Sequence, residues 1–206
     1  ALGVTQITKL YCEPTGHFPH NPEPLPEHLG DLSNEIKSTQ ADLGITVDPD
    51  VDRLAMVCED GSMFGEEYTL VAVADYVLSK TPGATVSNLS STRALRDVTE
   101  EWHKQSYAAA AVGEVNVVEK MKAIHAVIGG EGNGGIIYPE SHYGRDALVG
   151  IALFLSHLAE KKCKVSELRD HYPAYTISKN KIELTPNVNV DDILNKMAQA
   201  YAHEEV

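Results

Sequence analysis

Basic side chains are scarce in this sequence: 17 Lys and Arg stand against 30 Asp and Glu in 206 residues, a formal charge of −13. Such a surface repels nucleic acid and anionic lipid over most of its area, so neither is expected as a partner. A phosphorylated ligand would have to be met by a local cluster of Arg or Lys. Cysteine is scarce too. Cys12, Cys58 and Cys163 are odd in number, scattered and without metal-ligand spacing, which argues against a disulfide framework and favours a reducing compartment such as the cytoplasm. Long hydrophobic runs are missing. The longest, "ALVGIALFLSHLA" from Ala147 to Ala159, is too short to cross a bilayer and contains a histidine, so it is read as a buried helix and no membrane partner is expected. There is no repeat or low-complexity tract, and the opening residues are read as neither signal nor transit peptide.

What is present is ordinary globular composition, 43% hydrophobic and 23% charged, with room for one large domain or two small ones. "ALGVTQITKLYCEPTG" predicts a strand and a loop, as if a βαβ unit were entered part-way, so the chain is read as a piece of a longer protein. Pro19, Pro22, Pro24 and Pro26 predict an extended segment. A helix can begin at Pro26, with Leu29, Leu32 and Ile36 on one face. "LGITV" and "LAMVC" predict short buried strands, "EDGS" a turn, and Glu66 to Lys80 a helix. Strands at "TVSNL", "SYAAAAVG" and "AVIGG" then alternate with helices at "STRALRDVTEEWHK", capped by Ser91 or Thr92, at "NVVEKMKAIH" and at "GRDALVGIALFLSHLAEKK". "TISKNKIEL" predicts one more strand and "VDDILNKMAQAYAHEE" a last amphipathic helix. The alternation specifies α/β layers on a parallel or mixed sheet. Boundaries fall near Gly65 and Pro186, which divides the chain into 1–65, 66–186 and 187–206.

Three aspartates, Asp48, Asp50 and Asp52, occupy alternate positions between two apolar strands in "GITVDPDVDRLAMVC". Alternation in a near-extended loop directs all three carboxylates toward one point, and hard cations such as Mg²⁺ or Ca²⁺ take oxygen ligands of this kind. An EF-hand is excluded because Arg53 stands where its turn needs glycine and because a strand follows. A phosphatase of the haloacid dehalogenase type would want a small residue at Asp52 and a later acidic pair. A solvated acidic turn is the remaining alternative.

"GGEGNGG" from Gly129 to Gly135 contains G-x-G-x-x-G after a strand, but no helix follows at once, so a dinucleotide site is excluded. A Walker A loop is excluded for want of Gly-Lys-Ser/Thr. What remains is a flexible turn offering the Glu131 carboxylate and the Asn133 amide, groups suited to sugar hydroxyls, or else a mobile surface loop. In "HYGRDALVG", Asp146 can cap a helix, while Arg145 lies beside the positive end of its dipole, where an anionic ligand or a carboxylate would compensate it. Arg93, near the end of the "TVSNL" strand, offers a second guanidinium at the usual mouth of an α/β site, or an ion pair.

Taken together and in this order, "DPDVDR", "GEVNVVEKM", "GGEGNGG" and "YGRDAL" resemble the α-D-phosphohexomutases, in particular the bacterial phosphoglucosamine mutase and phosphomannomutase/phosphoglucomutase branch. The resemblance covers nearly the whole chain. It implies domains 2 and 3 of a four-domain enzyme, each a three-layer α/β domain with a mixed sheet, together with the start of the fourth; the other domains of the same enzyme would be partners. It implies Mg²⁺ on Asp48, Asp50 and Asp52, Arg53 as the active-site arginine beside them, and Glu131 and Asn133 in the sugar-recognition loop; Arg145 and Arg93, by their own positions, are further substrate-binding candidates. The implied substrate is a mannose, glucose or glucosamine phosphate, whose 1- and 6-phosphates interconvert through a bisphosphorylated intermediate. The sequence departs from the common pattern at Asn133 and Gly135, which stand for a serine and a histidine, at Pro49, which stands for a glycine, and at Glu114, where some relatives have a phosphate-binding histidine. The phosphoserine motif of the first domain and the phosphate-binding loop of the fourth are both absent, so the chain alone is expected to be inactive. A non-catalytic metal- or sugar-binding module on the same scaffold is the alternative.

Overall fold

The computed structural model describes residues 3–178, 183–184 and 188–203, and the chain divides into two units, Ala1–Thr176 and Ile177–Val206. In the first unit, β2 (Leu54–Cys58) is apolar at every position because both of its faces are covered. Ala55 and Val57 pack with Leu29 and Ile36 of the segment that becomes α1 (Gly30–Thr39). Leu54, Met56 and Cys58 point the other way, into a larger core with α2 (Glu66–Lys80). Antiparallel to β2 runs β1 (Leu43–Val47), with Leu43 opposite Cys58 and Val47 opposite Leu54, so residues 48–53 close a hairpin.

A four-stranded sheet follows. Its order is β4 (Tyr107–Ala110), β3 (Thr85–Asn88), β5 (Ile128–Glu131), β6 (Gly135–Ile137); the first three are parallel and β6 runs antiparallel to β5. Successive side chains face opposite sides of a sheet, which places Val86 and Ile137 under α4 (Glu114–Ile124) with Val117 and Met121. Ile128 and Ile136 instead enter the core beneath α2 and α5 (Ala147–Lys161), where Phe64 meets Phe154 edge-on at 5.1 Å. Each such fully buried side chain contributes roughly 1.5–3 kcal/mol. The result is the α/β architecture on a mixed sheet expected from the alternation of strands and helices, in the three layers that the resemblance implies. Among the described residues no helix is long and apolar enough to cross a membrane.

Several expectations are corrected. Residues 4–9 form no strand, because no described segment pairs with them, and Val4 and Ile7 are exposed. "STRALRDVTEEWHK" is not one regular helix but a short α3 (Ala94–Asp97) running into a π-turn at Val98–Trp102. Thr99 is the cause: its hydroxyl bonds back to the Leu95 carbonyl at 2.8 Å and across to Thr85 of β3 at 2.8 Å, which competes with regular helix geometry. The glycine segment is no flexible turn; it is a buried hairpin between β5 and β6. A short helix, α6 (Val165–His171), also follows α5 without having been anticipated. Of the strand expected over "TISKNKIEL", residues 179–182 lie outside the described residues and the rest form no strand; the boundary expected near Pro186 lies outside them as well. The second unit contains α7 (Val190–Ala200), capped by the Asn189 side chain, which accepts from the Asp192 N–H.

Candidate functional site

The β1–β2 hairpin carries Asp48, Asp50 and Asp52, and one carboxylate oxygen from each lies within 4.8 Å of the others. Asp48 is buried and holds the loop's shape: its Oδ1 accepts from the backbone N–H of Asp52 (3.0 Å) and of Arg53 (2.9 Å), and its Oδ2 from Arg53 Nε (2.6 Å). Between them Val51 adopts φ +60°, a left-handed conformation that costs a β-branched residue about 1–3 kcal/mol. Its carbonyl is held by the Ala147 N–H of α5 at 3.1 Å, so the strained turn is fixed from the neighbouring helix.

Burial alone would raise the Asp48 carboxyl, but the bonds from Arg53 outweigh it and hold the group below the usual range. Asp52 moves the other way. Burial raises it, Arg145 opposes this, and the hydrogen bond and charge of Asp48 and the charge of Asp50 raise it further. Like charges so close resist full ionisation without a cation. Asp52 Oδ1 is buried and has no hydrogen-bond partner, with Arg53 Nε 3.8 Å away. An orphaned buried acceptor beside two more carboxylates is what a hard cation completes, so the residues present fit Mg²⁺ or a similar oxygen-seeking ion.

Arg53 is also gripped from a distant part of the chain. Glu23, in the proline-rich segment, takes Nη1 at 2.7 Å and Nη2 at 3.2 Å, a two-pronged pair. Glu23 and Asp48 together hold the guanidinium well above its ordinary pKa. Sequence reasoning missed Glu23; thirty residues separate it from Arg53, and only its place between Pro22 and Pro24 hinted at a fixed position.

The glycine hairpin closes on the same spot. The Gly134 carbonyl oxygen accepts from the Leu54 N–H (3.0 Å), and Gly135 bridges to Arg53. Gly134 has φ +87°, and a Cβ there would sit 2.2 Å from the Leu54 carbonyl oxygen, so only glycine permits this approach. At the end of β5, Glu131 is 4% exposed. Its Oε1 accepts from Asn88 Nδ2 (2.7 Å) at the end of β3 and from the Gly113 N–H (3.3 Å) after β4, and its Oε2 accepts from Arg145 Nη1 (2.7 Å). Three parallel strands thus deliver their carboxyl ends to one carboxylate, the edge where α/β sheets bind ligands. Asn133 turns its Oδ1 to the Gly135 N–H at 3.2 Å, shaping the hairpin.

Arg145 joins the two hairpins. Besides Glu131 it pairs with Asp52 through Nη2, while its Nε lies 3.4 Å from Glu114 Oε2 without a hydrogen bond, and its backbone N–H donates to Glu114 Oε1 at 3.2 Å. The carboxylate compensation expected for Arg145 is therefore threefold. The next residue, Asp146, caps α5 as expected, accepting from Leu148 N–H (2.8 Å) and Val149 N–H (3.0 Å). Arg93 lies exposed at the start of α3, on the loop that follows β3. Of the two predicted caps, Thr92 Oγ1 accepts from the Ala94 N–H, while Ser91 Oγ donates to Asn88 Oδ1.

The family model described as phosphoglucomutase/phosphomannomutase, alpha/beta/alpha domain III, matches residues 65–175, and that for alpha/beta/alpha domain II matches residues 1–61. The phosphoglucomutase/phosphomannomutase of Thermococcus kodakarensis is 32% identical over 177 residues, 85% of this chain and 39% of that one. A phosphoglucosamine/phosphogalactosamine mutase of Sulfurisphaera tokodaii is 29% identical over 188 residues, 90% of this chain and 41% of the other. The crystal structure of a phosphoglucomutase/phosphomannomutase family protein from Burkholderia thailandensis matches with a TM-score of 0.69 and 30% identity, over 76% of this chain and 34% of that one. The chain thus spans about two-fifths of the length of these curated relatives.

Proposed function

This chain belongs to the phosphoglucomutase/phosphomannomutase family, and on that premise we propose that it forms the cation- and sugar-binding centre of a cytoplasmic phosphohexomutase. That enzyme interconverts the 1- and 6-phosphates of a hexose, drawn from mannose, glucose and glucosamine, through a bisphosphorylated sugar. The observation that carries this reading is the convergence of the aspartate hairpin and the glycine hairpin on Arg145, from positions 93 and 14 residues away.

Asp48, Asp50 and Asp52 would hold Mg²⁺, which when bound offsets the negative charge of a transferring phosphoryl group. Arg53, kept cationic and oriented by Glu23 and Asp48, presents fixed positive charge beside that loop. Glu131 positions sugar hydroxyls: a carboxylate has about four acceptor directions, and three are taken by Asn88, Gly113 and Arg145. Asn133 supplies a neighbouring amide, and Arg145 and Arg93 supply guanidinium groups to the phosphates. Phosphoryl donation needs a nucleophile, and the Ser91 hydroxyl, on the loop that follows β3, is already donating to Asn88. The 206 residues alone therefore bind but do not isomerise, and the partners that complete the reaction are further domains of the same enzyme.

Calorimetric titration of the chain with glucose 6-phosphate, mannose 6-phosphate and glucosamine 6-phosphate, with Mg²⁺ present, tests the proposal. Binding of at least one, weakened in Glu131→Gln, is expected, with no product in a coupled mutase assay. Absence of binding by all three would favour a metal-binding module without a sugar site, and robust turnover would place the nucleophile within this chain.

A further inference from the structure

Arg145 is surrounded by acid. Asp52 comes from the β1–β2 hairpin, Glu131 from the end of β5 and Glu114 from the first turn of α4, each on a different element. A single guanidinium with five donors in a rigid fork can bond to several carboxylates at once in fixed directions, which the compact ammonium of a lysine does not impose. Its side chain is one-fifth exposed, so these attractions are only partly screened by water. Arg145 Nε and Asp52 Oδ1 are the two buried polar atoms among the described side chains that have no hydrogen-bond partner. They belong to the two members of one ion pair. An arrangement that leaves an unsatisfied donor on one partner and an unsatisfied acceptor on the other is not at its most stable, and it is open to exchange of partners.

We propose that Arg145 is the positioning residue that couples the aspartate loop to the glycine loop: a divalent cation entering among Asp48, Asp50 and Asp52 competes with the guanidinium for Asp52, and the displaced charge shifts onto Glu131 and Glu114. This rests on the reading of the aspartate loop as a cation site. Cation binding then alters the carboxylate that gathers the ends of β3, β4 and β5, by a path of two ion pairs and without any change of fold. By linkage the effect is reciprocal, so an anion drawn to Arg145 frees Asp52 for the cation. A phosphorylated sugar would accordingly tighten the cation site as it binds. The two ligands are coupled through one side chain.

The test follows the amides that report on Glu131. In the ¹⁵N-labelled chain, Mg²⁺ is titrated while the Asp50 and Asp52 backbone amides, the Gly113 backbone amide and the Asn88 side-chain amide are observed. The Gly113 and Asn88 signals are expected to move with the same saturation curve as Asp50 and Asp52. In Arg145→Met, which removes the competing charge, Mg²⁺ is expected to bind about tenfold more tightly, while the Gly113 and Asn88 signals stay still. Arg145→Lys keeps the charge but not the fork, so its affinity should remain near wild type with the distant response diminished. Stationary Gly113 and Asn88 signals in the wild type, as Asp50 and Asp52 saturate, would overturn the coupling and leave the cation site standing. Unchanged or weaker affinity in a folded Arg145→Met would also overturn it. Failure of Mg²⁺ to move any of these signals would overturn the cation site and the coupling together. Should Arg145→Met not fold, the wild-type titration decides alone.

Discussion

Two aspartates, Asp75 buried and Asp52 partly buried, show how differently one fold treats the same side chain. Asp75, on α2, is completed from within: His103 Nε2 lies 2.7 Å from its Oδ1, while Oδ2 accepts from Tyr172 Oη at 3.2 Å and has His157 Nε2 at 3.2 Å and Lys161 Nζ at 3.7 Å. Asp52, on the β1–β2 hairpin, keeps one buried oxygen without a partner and shares its guanidinium with two other carboxylates. Burial would raise both carboxyls. At Asp75 the bonds from His157 and His103 and the charge of Lys161 outweigh it and hold the group well below its usual range, whereas Asp52 stays raised. Completed polar networks hold elements together, and incomplete ones are where a ligand has something to add.

The largest effect expected from breaking this contrast is at Asp75. Asp75→Ala leaves His103, His157 and Tyr172 facing a lost acceptor and should cost about 3–5 kcal/mol in urea unfolding, with Mg²⁺ affinity unaltered. The sign of the pH dependence follows from the depressed carboxyl. Its stabilisation is present above the unfolded pKa of roughly 3.9 and is lost as pH falls through that value toward the lower folded one. Asp75→Asn should therefore flatten stability against pH below about pH 4, a change that parallel acid titrations followed by fluorescence would detect.

Gly134→Ala comes next. The left-handed φ and the clash with the Leu54 carbonyl should cost about 2–3 kcal/mol in thermal or urea unfolding, because the obstacle is backbone and cannot swing aside. Asp50→Asn sharpens the comparison from the other side. It is exposed and adds charge rather than structure, so cation affinity should fall about tenfold, or ~1.4 kcal/mol, while the unfolding midpoint holds steady or rises slightly. The smallest effect is at the helix cap beside the site: Asp146→Ala should cost about 1 kcal/mol of stability.

The two regions also differ in how far the sequence revealed them. Alternating polarity and turn residues marked β1 to β5, α2, α4 and α5, since those elements bury a face or a whole strand and periodicity records burial. β6 escaped because three residues after a glycine run are too few to show a period, and α6 because seven residues make barely two helical turns. The three aspartates stood out through spacing alone. Their partners did not: Glu23 acts on Arg53, and Arg145 on Asp52, across 30 and 93 residues, and such pairings follow from sheet order, which composition does not encode. The Asp75 network went unseen for the same reason, as His103, His157 and Tyr172 come from three separate elements. Resemblance to a family named the loops, but Asn88 and Gly113 as supports of Glu131 came from the parallel alignment of β3, β4 and β5.

The central claim is that the aspartate hairpin and the glycine hairpin are two halves of one cation-and-sugar site. Substoichiometric Mn²⁺ added to the ¹⁵N-labelled chain measures this directly, because the paramagnetic ion broadens amides according to their distance from it. The account predicts strong broadening of Asp50 and Asp52 together with Asn133 and Gly135, abolished for both sets by excess Mg²⁺ and weakened for both in Asp50→Asn. Broadening confined to the aspartate hairpin, with the Asn133 and Gly135 signals intact, would contradict it.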